Sequence, residues 1–521
     1  MMYRHSVLPS LVWIGLLVGA CVVGCSKPEA QTAVETPAPG QAAGETPQAG
    51  AETRVVGPAA PGADGLWPIM MDGDLSDWPA GAKLLADGHH IYLRLDVEQV
   101  QNLQSASVSH TVLLDLDGSK STGHTGLPGG EGLGVDAAVQ FSPAGRQGRP
   151  SGVSVAYYAG PGAAEMMTHA GLGLLASPTV ASKSFEVRLD RHAGGGSERL
   201  SALLRGEGTV RARVLAQRGT GPVSVLSDLG SVVLPPLRER VVLETPPPTK
   251  PAGAIRVLSF NVLHDGPDKT PEPFAAAIKA LDPDIILIQE WWGAADGAHI
   301  AGWMQRHVGP GWEAAAPGGR SGVAVISRFG VKPMLRPIVT DAPPTAGTRS
   351  SEAVRCQFAV VSTPDGDWLV GSLHLKCCGS AGSAEDTRRI AEARAIRTRA
   401  VELSREHAVR AVLIGGDVNL VGTRTPLVEL KRGTDLDGSD LAAADLRVFG
   451  DRADYTWLEP SSAFGPGRLD WIVFSDSSLT AVGGFSLDAL KLSDAALGTL
   501  GLTRSTAQPS DHLPLVLDVQ P

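Results

Sequence analysis

From Ala254 to the end of the chain, short apolar runs recur that each close on one or two of Asn, Glu, Asp or His. Ile255-Arg256-Val257-Leu258-Ser259-Phe260 leads into Asn261, and Asp284-Ile285-Ile286-Leu287-Ile288-Gln289 leads into Glu290. A third run ends at His374 inside Leu373-His374-Leu375, and Ala411-Val412-Leu413-Ile414-Gly415-Gly416 delivers Asp417 and, two residues on, Asn419. The last blocks hold Asp470, in Arg468-Leu469-Asp470-Trp471, and Asp511-His512. Runs of this length and composition read as strands. Tips of neighbouring strands lie close in space, so residues far apart in sequence can meet at one sheet edge. A single polar tip is ordinary; six of them restrict this half of the chain to a sheet-based fold with a shared polar centre.

The intervening segments complete an α/β pattern. Pro273–Leu281 predicts a helix, Gly322–Ser327 a further strand, and Val354–Val361 the first arm of a hairpin. The hairpin turns at Pro364-Asp365-Gly366 and returns from Trp368 to Leu375. Asp386–His407 is amphipathic and Arg-rich, hence a helix. Its arginines 388, 389, 394, 397 and 399 are expected on a solvated face, paired with Glu385, Asp386 and Glu392.

In order, the motifs SFN, QE, HLK, GDVN, RLDW and SDH resemble the endonuclease/exonuclease/phosphatase, or deoxyribonuclease-I-like, family over essentially this whole half. The resemblance implies an α/β four-layer sandwich of two mixed β-sheets flanked by helices, with metal-dependent hydrolysis of phosphate esters at one edge. Asn261 and Glu290 are then metal ligands, hard oxygen donors suited to Mg²⁺ with Mn²⁺ as the substitute, and Asp511 is the additional ligand, direct or through water. Asp417 is placed to orient or deprotonate the attacking water, and the strand period of two puts Asn419 on the same side. Asp470 and His512 form a carboxylate–imidazole pair that fixes the ring tautomer and favours a cation beside the phosphate; base and transition-state stabiliser both stay open for His512. His374 corresponds to the family's second active-site histidine, donating to a phosphate oxygen. Taken alone, a histidine in that setting would be a satisfied core residue.

The first half reads differently. Between Leu66 and Pro236, short apolar segments alternate with Gly-rich turns, without a long helix-period stretch, which predicts an all-β sandwich over 64–236. Met71-Asp72-Gly73-Asp74-Leu75-Ser76-Asp77-Trp78, with Asp115-Leu116-Asp117-Gly118 and Gly134-Val135-Asp136, resembles family 9 carbohydrate-binding and DOMON-type modules, which implies a glycan or other ligand. Trp78 is expected as a buried plug at a turn rather than a sugar platform. Asp115 and Asp117 are candidate Ca²⁺ ligands, but Lys120 and Gly126 break an EF-hand pattern, and a plain turn is the simpler expectation. The Pro-rich stretch 237–253 predicts an extended spacer before the catalytic domain, 254–521.

Arg4 and His5 precede an apolar run from Val7 to Val23, a secretory-signal pattern with a transmembrane anchor as the alternative. Val22-Val23-Gly24-Cys25 resembles a bacterial lipobox, with Val18-Gly19-Ala20-Cys21 as a second candidate. On this reading 1–25 is a lipoprotein signal, 26–63 an Ala/Pro/Gly-rich disordered tether, and lipid on Cys25 anchors an exported, monomeric protein at the cell envelope, on the outer membrane or cell surface. Export permits a disulfide; Cys356–Cys377 is expected, with Cys356–Cys378 or free thiols as alternatives.

Across 521 residues the formal charge is −10, and from Ala254 onward 26 Lys and Arg face 32 Asp and Glu. No broad basic surface for a duplex is implied. The expected function is therefore an exported metal-dependent phosphoesterase, with nuclease and sphingomyelinase- or phosphoinositide-type head-group hydrolase as alternatives. The non-enzyme alternative is an envelope-anchored glycan-binding protein with an inactive second domain.

Overall fold

The computed structural model describes residues 60–143, 151–162, 164–293, 296–318, 321–340, 342, 345 and 353–521. The expected signal, both lipobox candidates and all but the last four residues of the tether lie outside them. Among the described residues no helix is long and apolar enough to cross a membrane.

The N-terminal half contains strands β1 (Leu84–Ala86), β2 (His90–Gln101), β3 (Val108–Asp115), β4 (Ala137–Phe141), β5 (Val153–Tyr157), β6 (Glu165–Met167), β7 (Leu175–Ser177), β8 (Ser182–Asp190), β9 (Thr209–Arg218) and β10 (Val223–Val233). They form two antiparallel sheets, ordered β1-β2-β8-β7 and β10-β9-β3-β4-β5-β6. Alternate residues point inward: Ile91, Leu93 and Leu95 of β2 and Phe185, Val187 and Leu189 of β8 meet Val112, Leu114, Val139, Val155 and Val214 in one core. The expected sandwich is thus present. In this half the sequence reading missed one helix, α1 (Glu198–Arg205), capped by the Ser197 hydroxyl accepting from Leu200 N. It buries only Leu200 and Leu204, one turn apart, too little to register as a periodic pattern. Trp78 is buried, its Nε1 donating to Glu186 Oε2 at 2.9 Å, as a plug should be.

The C-terminal half contains β11 (Ile255–Asn261), β12 (Ile285–Gln289), β13 (Glu313–Ala315), β14 (Ala324–Ser327), β15 (Gly330–Met334), β16 (Cys356–Thr363), β17 (Gly366–His374), β18 (Ala411–Asp417), β19 (Ala442–Ala443), β20 (Asp470–Phe474), β21 (Thr480–Ser486) and β22 (Leu515–Gln520). Two mixed sheets result, β13-β14-β12-β11-β22-β21 and β15-β16-β17-β18-β20-β19. Val257, Leu287 and Leu517 of one pack against Val361, Val370, Leu413 and Ile472 of the other. A one-turn helix α2 (Gly266–Lys269) leads into α3 (Pro271–Leu281), which with α4 (Gly297–His307) covers the first sheet's outer face. The second sheet is covered by α5 (Ala384–Glu406) and α6 (Thr425–Lys431), while α7 (Asp494–Thr499) joins the helices on the first. Four layers follow, as the sequence implied.

Register fixes where the strand tips go. β11 and β12 are parallel, with Asn261 beside Gln289. β17 and β18 are also parallel, with His374 beside Asp417, and antiparallel β20 sets Asp470 opposite Asp417. Parallel neighbours require a crossover, which α3 and α5 supply.

Three expectations are corrected. Two of the α5 arginines leave the expected solvated face, on which Arg394 stays: Arg388 and Arg389 are buried, Arg388 Nε donating to Glu392 Oε1 and Arg389 Nη2 to Asp386 Oδ1, pairings the sequence anticipated, while Arg389 Nη1 donates to the carbonyls of Lys376 and Cys378. They brace the chain just past His374, and such long side chains bury where their donors find fixed acceptors. The cysteines 356, 377 and 378 are all free thiols. Cys356 is level with Leu373 in the hairpin, so Cys377 falls four residues beyond its partner. The Pro-rich stretch is extended and largely exposed but is not a free spacer: Leu243 exchanges backbone hydrogen bonds with Lys491 and Ser493, and Lys250 binds Asp284.

The two halves share a core of Trp67, Ile69, Met71, Tyr92 and Leu175 with Val448, Ala453, Tyr455 and Leu513. Beside it Arg188 makes a bidentate bond to Asp451, at 2.7 and 2.9 Å. Burial opposes charge on Asp451, yet Arg188 and Lys491 hold its carboxyl well below the ordinary value. Its stabilisation is therefore present above the usual carboxylate range and is lost as pH falls toward the depressed value. Asn102 ties the sandwich to the loop after Asp417, donating to Val421 O at 2.9 Å and Gly422 O at 3.0 Å and accepting from Ala381 N at 2.7 Å. Asp451→Ala strands a buried guanidinium and should lower the unfolding free energy by about 3–5 kcal/mol, read as a drop in the urea midpoint.

Candidate active site

Gly416 is the local device that brings β18 to the site. Its φ of +140° suits glycine, and a Cβ there would lie 2.0 Å from Leu373 O. Only a glycine lets β17 and β18 close up immediately before His374 and Asp417. Beyond the tips the backbone is bent into left-handed geometry at Glu290 (φ 65°) and Asn419 (φ 51°), strain that structures tolerate where side chains must be aimed.

Asn261 stands at the centre, fully buried. Its Nδ2 lies 3.2 Å from Glu290 Oε1, 3.2 Å from Asp417 Oδ2 and 3.4 Å from His512 Nε2, while Oδ1 accepts from Leu263 N. Glu290 Oε2 accepts from His264 N at 3.2 Å. Asp417 Oδ1 accepts from Asn419 N at 2.8 Å. Burial, followed by the charge of Asp470 and, more weakly, that of Glu290, pushes the Asp417 carboxyl up to about 8 against the pull of His512.

Asp470 Oδ2 takes hydrogen bonds from Thr456 Oγ1 at 2.7 Å and from His512 Nδ1 at 2.8 Å. With the proton on Nδ1 facing Asp470, Nε2 is turned toward Asn261 and Asp417. Burial alone would depress the His512 imidazole, but the charge and hydrogen bond of Asp470, helped by Asp417 and Asp511, raise it to about 10. His374 behaves in the opposite way. Burial, then the nearby Arg355 and His512, hold it well below its ordinary value, so it is neutral. Arg355 Nη1 meets its Nδ1 at 3.3 Å. Since an arginine only donates, Nδ1 accepts and the ring proton sits on Nε2, 3.5 Å from Asp417 Oδ2 and 3.9 Å from Glu290 Oε1.

Six of the eight residues singled out from sequence, namely Asn261, Glu290, His374, Asp417, Asp470 and His512, thus converge. The other two differ in detail. β18 stops at Asp417, so the strand period does not reach Asn419, whose side chain instead donates to Leu375 O at 3.2 Å. Asp511 Oδ2 accepts from Trp457 Nε1 at 2.9 Å. Residues the sequence reading passed over are Thr456, which clamps Asp470; Ser510, which bridges Asn261 O and His512 N; and Arg355. The hairpin register could have found Arg355, because His374 N donates to Arg355 O across the strands. Thr456 carried no signal, since its position depends on the bridge between Trp457 and His512.

Ligand atoms of Glu290, His374 and Asp417 lie within 4.8 Å of one another, and so do those of Asp417, Asp470 and His512. Crowded buried carboxylates, one forced toward its neutral form, fit a hard divalent cation. Glu290 would hold it, with Asp417 alongside; Asn261 presents its Nδ2 to this centre and its Oδ1 to Leu263 N, so in this arrangement it orients the carboxylates and is not itself a ligand.

Two mixed sheets packed face to face, with acids, an amide and imidazoles gathered at their edge, define a hydrolase-type α/β domain. Residues 258–512 match the model described as the endonuclease/exonuclease/phosphatase family, and the C-terminal half of the chain is a domain of that family of phosphate-ester hydrolases. Similar solved structures include the human Nocturnin catalytic domain with bound sulfate, at 18% identity, 52% of this chain, 96% of that one and TM-score 0.35. Sphingomyelinase C from Streptomyces griseocarneus is 15% identical over 51% of this chain and 99% of its own, with TM-score 0.32. An endonuclease/exonuclease/phosphatase from Bacteroides vulgatus is 14% identical over 51% and 98%, with TM-score 0.34. No curated protein sequence matches the chain.

Because the folded Asp417 carboxyl titrates far above its ordinary 3.8, its ionised form costs stability. That stability is complete at low pH and is lost as pH rises through about 8. In metal-free protein Asp417→Asn should therefore raise the Tm at pH 9, with the gain shrinking as pH falls below about 8, measured by calorimetry in EDTA.

Proposed function

We propose that the protein is an exported, Mg²⁺-dependent phosphodiesterase, tethered to the cell envelope through lipid on Cys25. The observation that carries the catalytic part is the meeting of Asn261, Glu290 and Asp417 with the Asp470–His512 pair around one buried centre. Export and tethering rest on the sequence pattern ending in Val23-Gly24-Cys25.

A bound divalent cation would supply charge neutralisation on the phosphate oxygens and the leaving alkoxide. The remaining work falls to side chains. Asp417, fixed by Asn419 N, offers Oδ2 to orient the attacking water and take its proton. His512, kept cationic by Asp470, presents Nε2–H to a phosphate oxygen as negative charge builds, and Thr456 keeps Asp470 in place. Neutral His374 adds a second donor through Nε2–H, its tautomer set by Arg355. These donors are aligned before the reaction, which is what makes electrostatic stabilisation effective.

Substrate choice follows from charge. The catalytic half carries 26 basic against 32 acidic residues, and two of the helix arginines that might have met a nucleic acid are buried. This favours small or lipid head-group phosphodiesters over a duplex. A pure glycan-binding role is disfavoured by the retention of every acid, amide and imidazole at the centre.

Hydrolysis of bis-p-nitrophenyl phosphate should require Mg²⁺ or Mn²⁺ and stop in EDTA. Asp417→Ala and His512→Ala should each reduce kcat by about 10²–10³ or more. Turnover that ignores both EDTA and these substitutions, or none at all from well-folded wild-type protein, would leave the binding role standing. A panel of DNA, RNA, sphingomyelin and inositol phospholipids then ranks the substrates.

A further inference from the structure

The sandwich buries two carboxylates beside a third, half-buried one, and its own fold does not explain them. Asp115 closes β3 and Asp136 immediately precedes β4; with Leu114 level with Ala137, the two acids face each other across an antiparallel pair. Like charges directly opposite destabilise a sheet. Both are fully buried, and Asp117 joins them so that one carboxylate oxygen from each lies within 4.8 Å of the others.

The second observation is that carboxylate oxygens of both buried acids lack hydrogen-bond partners. No donor comes within hydrogen-bond geometry of either oxygen of Asp115, though the nearby Gly118 and Gly134 amides ease its burial, and Oδ1 of Asp136 accepts none, although Asp136 Oδ2 takes Leu116 N at 2.8 Å. Asp117 is partly satisfied by Ser119 N and Thr122 Oγ1. The nearest cation, Arg211, stands with Nη1 3.9 Å from Asp115 Oδ2, outside hydrogen-bond reach, and is one positive charge against three negative. Burying such a group unpaired is expensive.

We infer that Asp115, Asp117 and Asp136 form a Ca²⁺ site in the N-terminal sandwich, separate from the catalytic centre. The donors are all carboxylate oxygens, with no imidazole or thiolate, which selects a hard cation. Ca²⁺ accepts six to eight oxygens in adaptable geometry, whereas Mg²⁺ demands a near-ideal octahedron. The neighbouring loop has carbonyls to offer. At Gly134 a Cβ would lie 2.1 Å from Ser119 O and 2.5 Å from Thr122 O, so the loop folds tightly onto the segment that leads into Asp136. This also accounts for the missing EF-hand pattern, since the ligands come from opposed strands and not from one twelve-residue loop.

The test uses the full chain, unfolded thermally in EDTA, CaCl₂ or MgCl₂, with Ca²⁺ affinity measured by calorimetric titration. Wild type should gain Tm in CaCl₂. Asp115→Asn should remove that gain, weaken the tighter Ca²⁺ event at least about tenfold, and unfold above wild type in EDTA, because neutralising one carboxylate relieves the repulsion that Ca²⁺ otherwise relieves. A purely structural aspartate would not produce that reversal of order. Mg²⁺-dependent hydrolysis of bis-p-nitrophenyl phosphate should be unchanged, which separates this site from the catalytic one. If Asp115→Asn does not fold, the half-buried Asp117→Asn carries the same comparison. A wild-type Tm indifferent to CaCl₂, a Ca²⁺ gain that both substitutions leave intact, or a response to MgCl₂ alone would each overturn the assignment.

Discussion

The catalytic half depends on a register. β18 pairs in parallel with β17 and antiparallel with β20, which places His374 on one side of Asp417 and Asp470 on the other. Side chains at such neighbouring tips are forced together whatever their charge. Repulsion among Glu290, Asp417 and Asp470 is the cost, and burial magnifies it because water cannot screen it. The fold meets that cost with fixed donors: Asn419 N, Thr456 Oγ1, His512 Nδ1 and the Asn261 amide each face one of these oxygens. The opposite protonation tendencies of His374 and His512 have the same origin. One ring faces a guanidinium and the other a carboxylate.

The sandwich is more than an appendage. Its apolar patch around Trp67, Met71 and Tyr92 is completed by residues of the second half, and the Arg188–Asp451 pair lies buried at the same junction. Asn102 reaches the loop that follows Asp417 and Asn419. Residues 377–382 are held on one side by Asn102 and on the other by Arg389. Two half-chains that differ so clearly in sequence character therefore meet in a shared interior. The buried Asp115 and Asp136 at the tips of β3 and β4, with the half-buried Asp117 beside them, are explained by none of this packing, which is why they point to a ligand of their own.

Much of the site was legible in the sequence because its residues occupy strand ends, and strand ends are visible as the point where an apolar run stops. Asn261, Glu290, His374, Asp417, Asp470 and His512 were found that way. Asn419 shows where the reasoning fails, since a period of two holds only while the strand lasts, and this strand ends two residues earlier. The α5 arginines show a second failure. Charge counts treat a guanidinium as solvated, but Arg388 and Arg389 bury because Glu392 and two main-chain carbonyls stand where their donors point.

The order of apolar runs, their lengths and the polar residues that close them were enough to determine two folded halves, a sandwich followed by an α/β domain, and the residue types of one polar centre. These are local properties, set by side-chain chemistry and by the periodicity of strands and helices. Only the tertiary structure decided which tips are neighbours, which thiols stay apart, which charges are buried and how the halves adhere. Those outcomes depend on pairing between segments hundreds of residues apart, such as Asn261 with His512 or Arg188 with Asp451. No local pattern encodes such pairs, because they form only when both partners have already been placed by the packing of everything between them.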